Sequence, residues 1–471
     1  MRYSSLHSAT MVSTLRQLAS LITDSVDTLE SVYLARGVAL PSDITLPTTG
    51  PGDNDAAQAA LRQDPGVIAA VSTIMAAAAQ LSAQVCDPVI TARNAAQSFY
   101  VSACLNVAQE LNVAEVLREA GPEGLDAQEI ATKCKVDAGV LARILRLLAT
   151  HHIFCEHRPN VFANNAISAV LDKRKSSDDL FKKSSLFFRS ATELTASLRS
   201  ADGVPSARLS FNRAFNTTLP FFEWLHQPQN SAALARFGLA VKGIGENTLD
   251  NELHAGFQWG DLLPNSLIVD VGSGRGNTSL RIAKRYPQLR FVNQDLKSQI
   301  RDAERYWHQQ LPQHVEQGLV RFQVHNFFDP QPIRDADVFL LRLVAHNWPD
   351  RELEKILRRL RDAAKPTGTG ETRLVMVDKI VSSAARSTPS LPAGDASGKA
   401  LAPLPLLPNW GIVNAHTYYV DMTMFMLLDG VERTLPAFEA VLNRGGWKLE
   451  RVYHMAGVEE SHIVAVIADS E

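Results

Sequence analysis

A chain of 471 residues, 45% hydrophobic and 21% charged with a net charge of −3, can bury a large core and divides into two or more domains. That balance argues against a chain-wide attraction to nucleic acid or anionic membrane, so the partners it points to are small molecules or proteins. The four cysteines, Cys86, Cys104, Cys134 and Cys155, lie far apart with no C-x-x-C pair and read as reduced thiols of a cytoplasmic protein, with neither a zinc cluster nor a disulfide framework. The first residues lack a continuous apolar run and no later run reaches about 18 apolar residues, so neither secretion nor a membrane span is expected.

Loose helical periodicity reaches to about Gly37, and the Pro-, Gly- and acid-rich stretch from Leu40 to Asp55 reads as an exposed linker. Val67, Val71, Ile74, Ala78, Leu81 and Val85 then place one apolar stripe on a helix, which an intrachain core or a dimer interface would explain equally. From Tyr100 to Leu171 the pattern is that of a winged helix. A helix over 102–117 is followed by one capped by Asp126 with Glu129 three residues on, and by a third opened by Asp137 that carries Leu141, Ile144, Leu145 and Leu148. Strands over 153–156 and 160–163 make the wing. Such a domain raises DNA binding, but the third helix offers only Arg143 and Arg146 among leucines, where reading bases needs several cations with Asn, Gln or Arg at the groove.

Helical material from about Asp178 to Phe257 leads into an α/β domain with strands expected over 267–271, 290–295, 320–325, 336–343, 373–380, 447–454 and 462–468. The last two form an antiparallel hairpin closing a seven-stranded, mostly parallel, Rossmann-like sheet. The expected domains are a helical extension with linker (1–95), a mainly α-helical winged-helix domain (96–175), a helical connector contributing to a substrate pocket (176–260) and the α/β domain (261–471). The Ala-, Ser- and Pro-rich stretch over 382–408 reads as a mobile surface insertion beside the site.

Leu267 to Leu296, LIVDVGSGRGNTSLRIAKRYPQLRFVNQDL, is a strand, a glycine-rich turn, a helix and a second strand ending in Asp295. This is the outline of a nucleoside-cofactor site: Gly272, Gly274 and Gly276 let the backbone approach a ligand, and the carboxylate can accept both ribose hydroxyls. The dinucleotide fingerprint G-x-G-x-x-G is the nearest alternative, but here the third glycine comes one residue early. Ligands bind beyond the carboxyl ends of strands in open α/β sheets, which singles out the glycine turn, Asp295, Asn326, Phe327, His346 and Asp378. Asn326 can bond an adenine amino group and Phe327 offers its ring an apolar face.

Three motifs, DVGSGRG, LRLVAHNWPD and DGVERT at Asp429 to Thr434, make the chain from about Tyr100 onward resemble the caffeic-acid-type S-adenosylmethionine-dependent O-methyltransferases of plants and fungi. The resemblance implies a class I methyltransferase fold behind a winged-helix dimerisation domain, S-adenosylmethionine as cofactor and a homodimer. It implies His346 as general base flanked by Asp378 and Glu432, and a cofactor site of Gly272, Gly274, Asp295, Leu296, Asn326, Phe327 and Arg342. Met424 matches a position that packs on the aromatic acceptor. The apolar residues Phe237 and Val241, with Thr423, are expected as further walls of a pocket for a flat hydrophobic substrate. The chain departs from the family pattern at Asn347 and Asn326, where Asp is usual, and at Asp378, where plant members often carry Glu. Its insertion and long N-terminus look more like fungal members of secondary metabolism.

A phenol titrates near pH 10, so its nucleophilic anion is scarce at neutral pH, and an imidazole of pKa about 6.5 can remove the proton during attack. No metal is expected, since the histidines lack ligand spacing. The alternative is a methyltransferase-like cyclase that binds S-adenosylmethionine without transferring its methyl group.

Overall fold

The computed structural model describes residues 12–40, 53–174, 184–199, 209–247, 253–254, 256–365, 371–386, 401–455 and 458–468, without the side chains of 53–56, 184–185 and 240–247. The chain forms two compact units, Met1–Asp172 with Ser383–Asp395 and Ala400–Ala415, and Lys173–Ser382 with Ala396–Lys399 and His416–Glu471.

In the first unit the helix Thr14–Ala35, capped by Ser13, packs on Pro65–Val85, capped by Asp64 with Pro65 in its first turn. Only part of the stripe expected on the second helix is buried: Val67 is buried and Ile74 and Leu81 are half-buried, while Val71 is 41% and Val85 64% exposed. Ala70, Ala76 and Ala77 supply the rest of the buried face, because alanines let two helix backbones approach closely. By length and composition alone Pro65–Val85 is also apolar enough to cross a membrane, although Ser, Thr and Gln interrupt its apolar residues. Here Ala76 and Ala77 join Leu18, Ala402 and Leu406 in one core, and Gln80 Nε2 donates to Pro405 O at 2.8 Å. Within the insertion, Ala402 and Leu406 are thus packed, while 387–400 lie outside the described residues. So do 41–52 of the expected linker, whose last residues already belong to the helix Asp53–Leu61.

The winged helix follows. The helix expected over 102–117 is two, Phe99–Glu110 and Val113–Ala120, broken at Asn112 with φ 56°. Ala127–Cys134 and Ala138–Thr150 are capped by Asp126 and Asp137. Strands β1 (Leu125–Asp126), β2 (Cys155–Arg158) and β3 (Val161–Ala163) pair antiparallel in the order β1-β3-β2. Arg146 is engaged by Glu156 at 2.7 Å and Asn160 at 2.8 Å of its own wing, which takes it from any nucleic-acid face.

In the second unit β4 (Leu267–Val271), β5 (Arg290–Asp295), β6 (Val320–Val324), β7 (Val338–Arg342), β8 (Arg373–Lys379), β9 (Trp447–Tyr453) and β10 (Glu460–Ile467) form one sheet, order β6-β5-β4-β7-β8-β10-β9. Only β10 runs antiparallel to both neighbours. Along β4, Val269 faces a core with Phe339, Leu357, Met376 and Phe438, and Ile268 the opposite core with Leu280, Trp307 and Val375. Burial on both faces is why these strands read as unbroken apolar runs. Chain order reverses between β4 and β7, and the crevice outside their carboxyl ends is the topological switch point where such sheets bind ligands.

Candidate active site

Beyond β4 the chain turns through Gly272, Gly274 and Gly276, all at positive φ. A Cβ on Gly276 would lie 2.5 Å from Trp307 Nε1, which donates to the Gly276 carbonyl, so the third glycine permits close packing of turn and helix. A Cβ on Gly272 would lie 3.0 Å from Val344 Cγ2 and 3.6 Å from Phe327, whereas a Cβ on Gly274 would meet nothing within 4 Å. Asp295 accepts from Gly274 N–H at 2.8 Å and Leu296 N–H at 2.7 Å, which fixes its carboxylate beside the turn and leaves each oxygen a lone pair. Burial raises its pKa against those two bonds. Leu296 is exposed, as is Asn326, whose Oδ1 accepts from Phe328 N–H at 3.2 Å. Phe327 stands edge-on to Phe328 and Trp348, and Arg342 is half-buried at the end of β7.

Sequence reasoning passed over Asp270, the acid before the first glycine. It is buried, its Oδ2 has no hydrogen-bond partner among the described residues, and burial pushes its pKa up to about 7; Ser279 opposes the shift and the charge of Asp295 adds to it. Two acids on adjacent strands under an open glycine turn suit a positively charged ligand. The only signal was its place in the motif.

The second half of the site is assembled from three segments. β7 leads through Leu343, at φ 54°, into a 3₁₀ turn, Ala345–Asn347, that buries His346. Asp378 is fully buried on β8, and Glu432 follows the helix Ala415–Leu428 on the DGVERT segment, with its N–H held by Asp421 Oδ1 at 2.8 Å, a contact with no sequence signal. His346 Nδ1 lies 2.7 Å from Glu432 Oε1 and 3.7 Å from Asp378 Oδ1. Burial presses the imidazole toward its neutral form, and the charges of Asp378 and Glu432 outweigh it, so its pKa is raised. Burial also raises Asp378, although His346 opposes the shift. The three side chains bring ligand-type atoms within 4.8 Å of one another, a spacing that could also hold a metal ion.

Of the expected pocket walls, Phe237 packs edge-on to Phe221 at 5.3 Å in an aromatic cluster with Phe211, Trp224 and Leu427. Leu427 follows Thr423 and Met424 on the same helix; both are half-buried, and the Thr423 hydroxyl donates to Tyr419 O at 2.8 Å. The side chain of Val241 lies outside the described residues.

Residues 94–174 match the O-methyltransferase dimerisation domain and residues 201–394 the O-methyltransferase domain. Over 97% of its length the chain is 36% identical to an O-methyltransferase of Armillaria gallica, all of which is covered. The chain belongs to the O-methyltransferase family. A second relative, 4-O-methyltransferase 1 of Phanerochaete chrysosporium, is 36% identical over 94% of this O-methyltransferase and 96% of its own length. Two solved structures share the fold. Mitomycin 7-O-methyltransferase MmcR has a TM-score of 0.62 at 24% identity, covering 83% of this chain and 99% of its own. LepI in complex with SAM has a TM-score of 0.64 at 20% identity, covering 88% and 100%. The enzyme is an S-adenosylmethionine-dependent O-methyltransferase, and its glycine turn with Asp270 and Asp295 fits that cationic nucleoside.

Proposed function

We propose that the acceptor is a hydroxyl of an aromatic or polyketide-like secondary metabolite and that His346 is the general base. The observation that carries this reading is the 2.7 Å contact of His346 Nδ1 with buried Glu432, which fixes the ring and leaves Nε2 for the acceptor. With Nδ1–H donated to Glu432, Nε2 removes the hydroxyl proton as the oxygen attacks, and the carboxylates of Glu432 and Asp378 stabilise the imidazolium that forms. Gly272, Gly274, Asp295 and Leu296 would hold S-adenosylmethionine, with Asn326 and Phe327 at its adenine and Arg342 beside Asp270. When bound, it supplies an electrophilic methyl group on a positively charged sulfur. The aromatic cluster around Phe237 favours a flat apolar acceptor. The dimerisation-domain match supports a homodimer, and four free thiols are consistent with a cytoplasmic enzyme.

The test is incubation with donor carrying an isotope-labelled methyl group and phenolic metabolites. Labelled product should form in step with S-adenosylhomocysteine, and His346→Ala should slow turnover by about 10²- to 10⁴-fold with donor affinity unchanged by calorimetry. Product without label or donor consumption would favour the cyclase instead, and loss of donor binding in the variant would remove His346 from its role.

A further inference from the structure

Arg433 follows Glu432 in the chain and has a fully buried side chain, only 1% exposed. Its guanidinium donates from Nη1 to the carbonyl of Ala345 at 2.9 Å and, at 3.4 Å, of Val431; from Nη2 to Trp348 O at 2.7 Å; and from Nε to Asp350 Oδ1 at 2.9 Å. Three of these acceptors belong to the turn and helix start that carry His346. Its own carbonyl accepts from Val381 N–H at 2.9 Å, and a parallel bridge pairs it with Ile380, just beyond Asp378 on β8. Val431 N–H donates to His346 O at 2.9 Å, and a Cβ on Gly430 would lie 2.2 Å from that oxygen, so the two segments touch backbone to backbone.

We propose that Arg433 is a positioning residue: it clamps the His346 turn, the Glu432 segment and the end of β8 to one another and so sets the His346–Glu432 contact. No other side chain type does this. A planar guanidinium offers five donors in a fixed fork, which matches three carbonyls and a carboxylate at once, whereas an ammonium on a flexible stem cannot hold four spread acceptors. A buried cation requires a partner, and Asp350 supplies it. Burial would raise the Asp350 carboxyl, but Arg433 and then Arg444 hold it below its ordinary range. Asp350 is also the first residue of the helix Asp350–Ala363, where negative charge is favoured. The effect on turnover rests on the reading of His346 as base; the clamp itself does not.

The experiment reads two quantities in Arg433→Lys: kcat, and the titration of the His346 imidazole by NMR, its signal identified by its absence in His346→Gln. Asp378, Glu432 and Lys379 are the charged groups that act on that ring. We expect kcat to fall by roughly 10- to 100-fold, the loss of one or two hydrogen bonds to a charged group, with donor affinity within about twofold. We also expect the His346 titration to move down toward the ordinary histidine value as Glu432 drifts. Free guanidinium ion should partly restore kcat in Arg433→Ala, which a general loss of folding would not allow. Arg444→Ala, which removes the exposed cation on Asp350, should leave kcat within about twofold. An unmoved His346 titration in Arg433→Lys overturns the clamp, whatever happens to kcat. A moved titration with parental kcat keeps the clamp and overturns His346 as base. Should Arg433→Lys not fold, Asp350→Asn retains the guanidinium and its carbonyls, removes the anchoring charge, and is read by the same two measurements and the same criteria.

Discussion

Replacing Glu432 by Gln leaves an oxygen to which His346 Nδ1–H can donate but removes its charge. Between two buried groups at 2.7 Å, a hydrogen bond to a charged partner is worth about 1.5–3 kcal/mol, against about 0.5–1.5 kcal/mol for a neutral pair. The difference, roughly 1.5 kcal/mol, matters where the imidazolium forms, in the transition state, and corresponds to about tenfold in kcat. With the donor at the glycine turn, as proposed, the KM for S-adenosylmethionine should not change. A second signature is the pH profile. Asp378 and Glu432 together hold the His346 pKa above its ordinary value, so the acid limb of kcat should move to lower pH in the variant, and the two rates should converge on the acid side. The assay is the initial rate of S-adenosylhomocysteine formation from about pH 5 to about pH 9, spanning the histidine range. A kcat within about twofold of the parent with an unmoved limb would refute this account of the charged contact, since the expected loss is tenfold.

Asp295→Ala should weaken donor binding by about tenfold or more, the worth of a bond to a charged group, without moving the pH profile; calorimetric affinity equal to the parent's would contradict the assignment. Asp270 gives a stability test without catalysis. Its carboxyl is raised from 3.8 to about 7 by burial, so between those values the folded protein holds a proton that the unfolded chain has lost. Stability of the donor-free protein therefore falls as pH rises through that window, by roughly 4 kcal/mol at most, and Asp270→Asn should abolish that share. The variant should unfold at a higher temperature than the parent near pH 8 and at nearly the same temperature near pH 4, on either side of the window. A gap independent of pH would show that Asp270 does not carry this charge.

The sheet is legible in the sequence because strands such as β4 and β8 are buried on both faces and must be written as runs of Val, Ile and Leu between turn residues. Strand order then brings residues at separated strand ends, such as His346 and Asp378, to one edge. Other features leave no such mark. The break at Asn112 has neither Gly nor Pro; it depends on asparagine's tolerance of a left-handed backbone. The buried face of Pro65–Val85 is only partly legible, because alanine weighs little in a hydrophobic pattern yet is what close helix contact needs. Asp270 and Arg433 stand inside quoted motifs beside residues of more obvious chemistry, and their roles come from burial and from partners far away in sequence, such as Ala345, 88 residues before Arg433.

The contact between Gln80 and Pro405 spans 325 residues, and Ala402 and Leu406 complete the core begun by Leu18, Ala76 and Ala77. During synthesis the Thr14–Ala35 and Pro65–Val85 pair therefore leaves the ribosome with one side uncovered. It stays so while β4 to β8 are made. A chaperone or a nascent neighbour has that whole interval in which to meet an alanine-lined surface, and a chain truncated after β8 would never cover it. Two helices translated before the sheet are sealed only after β8 is made.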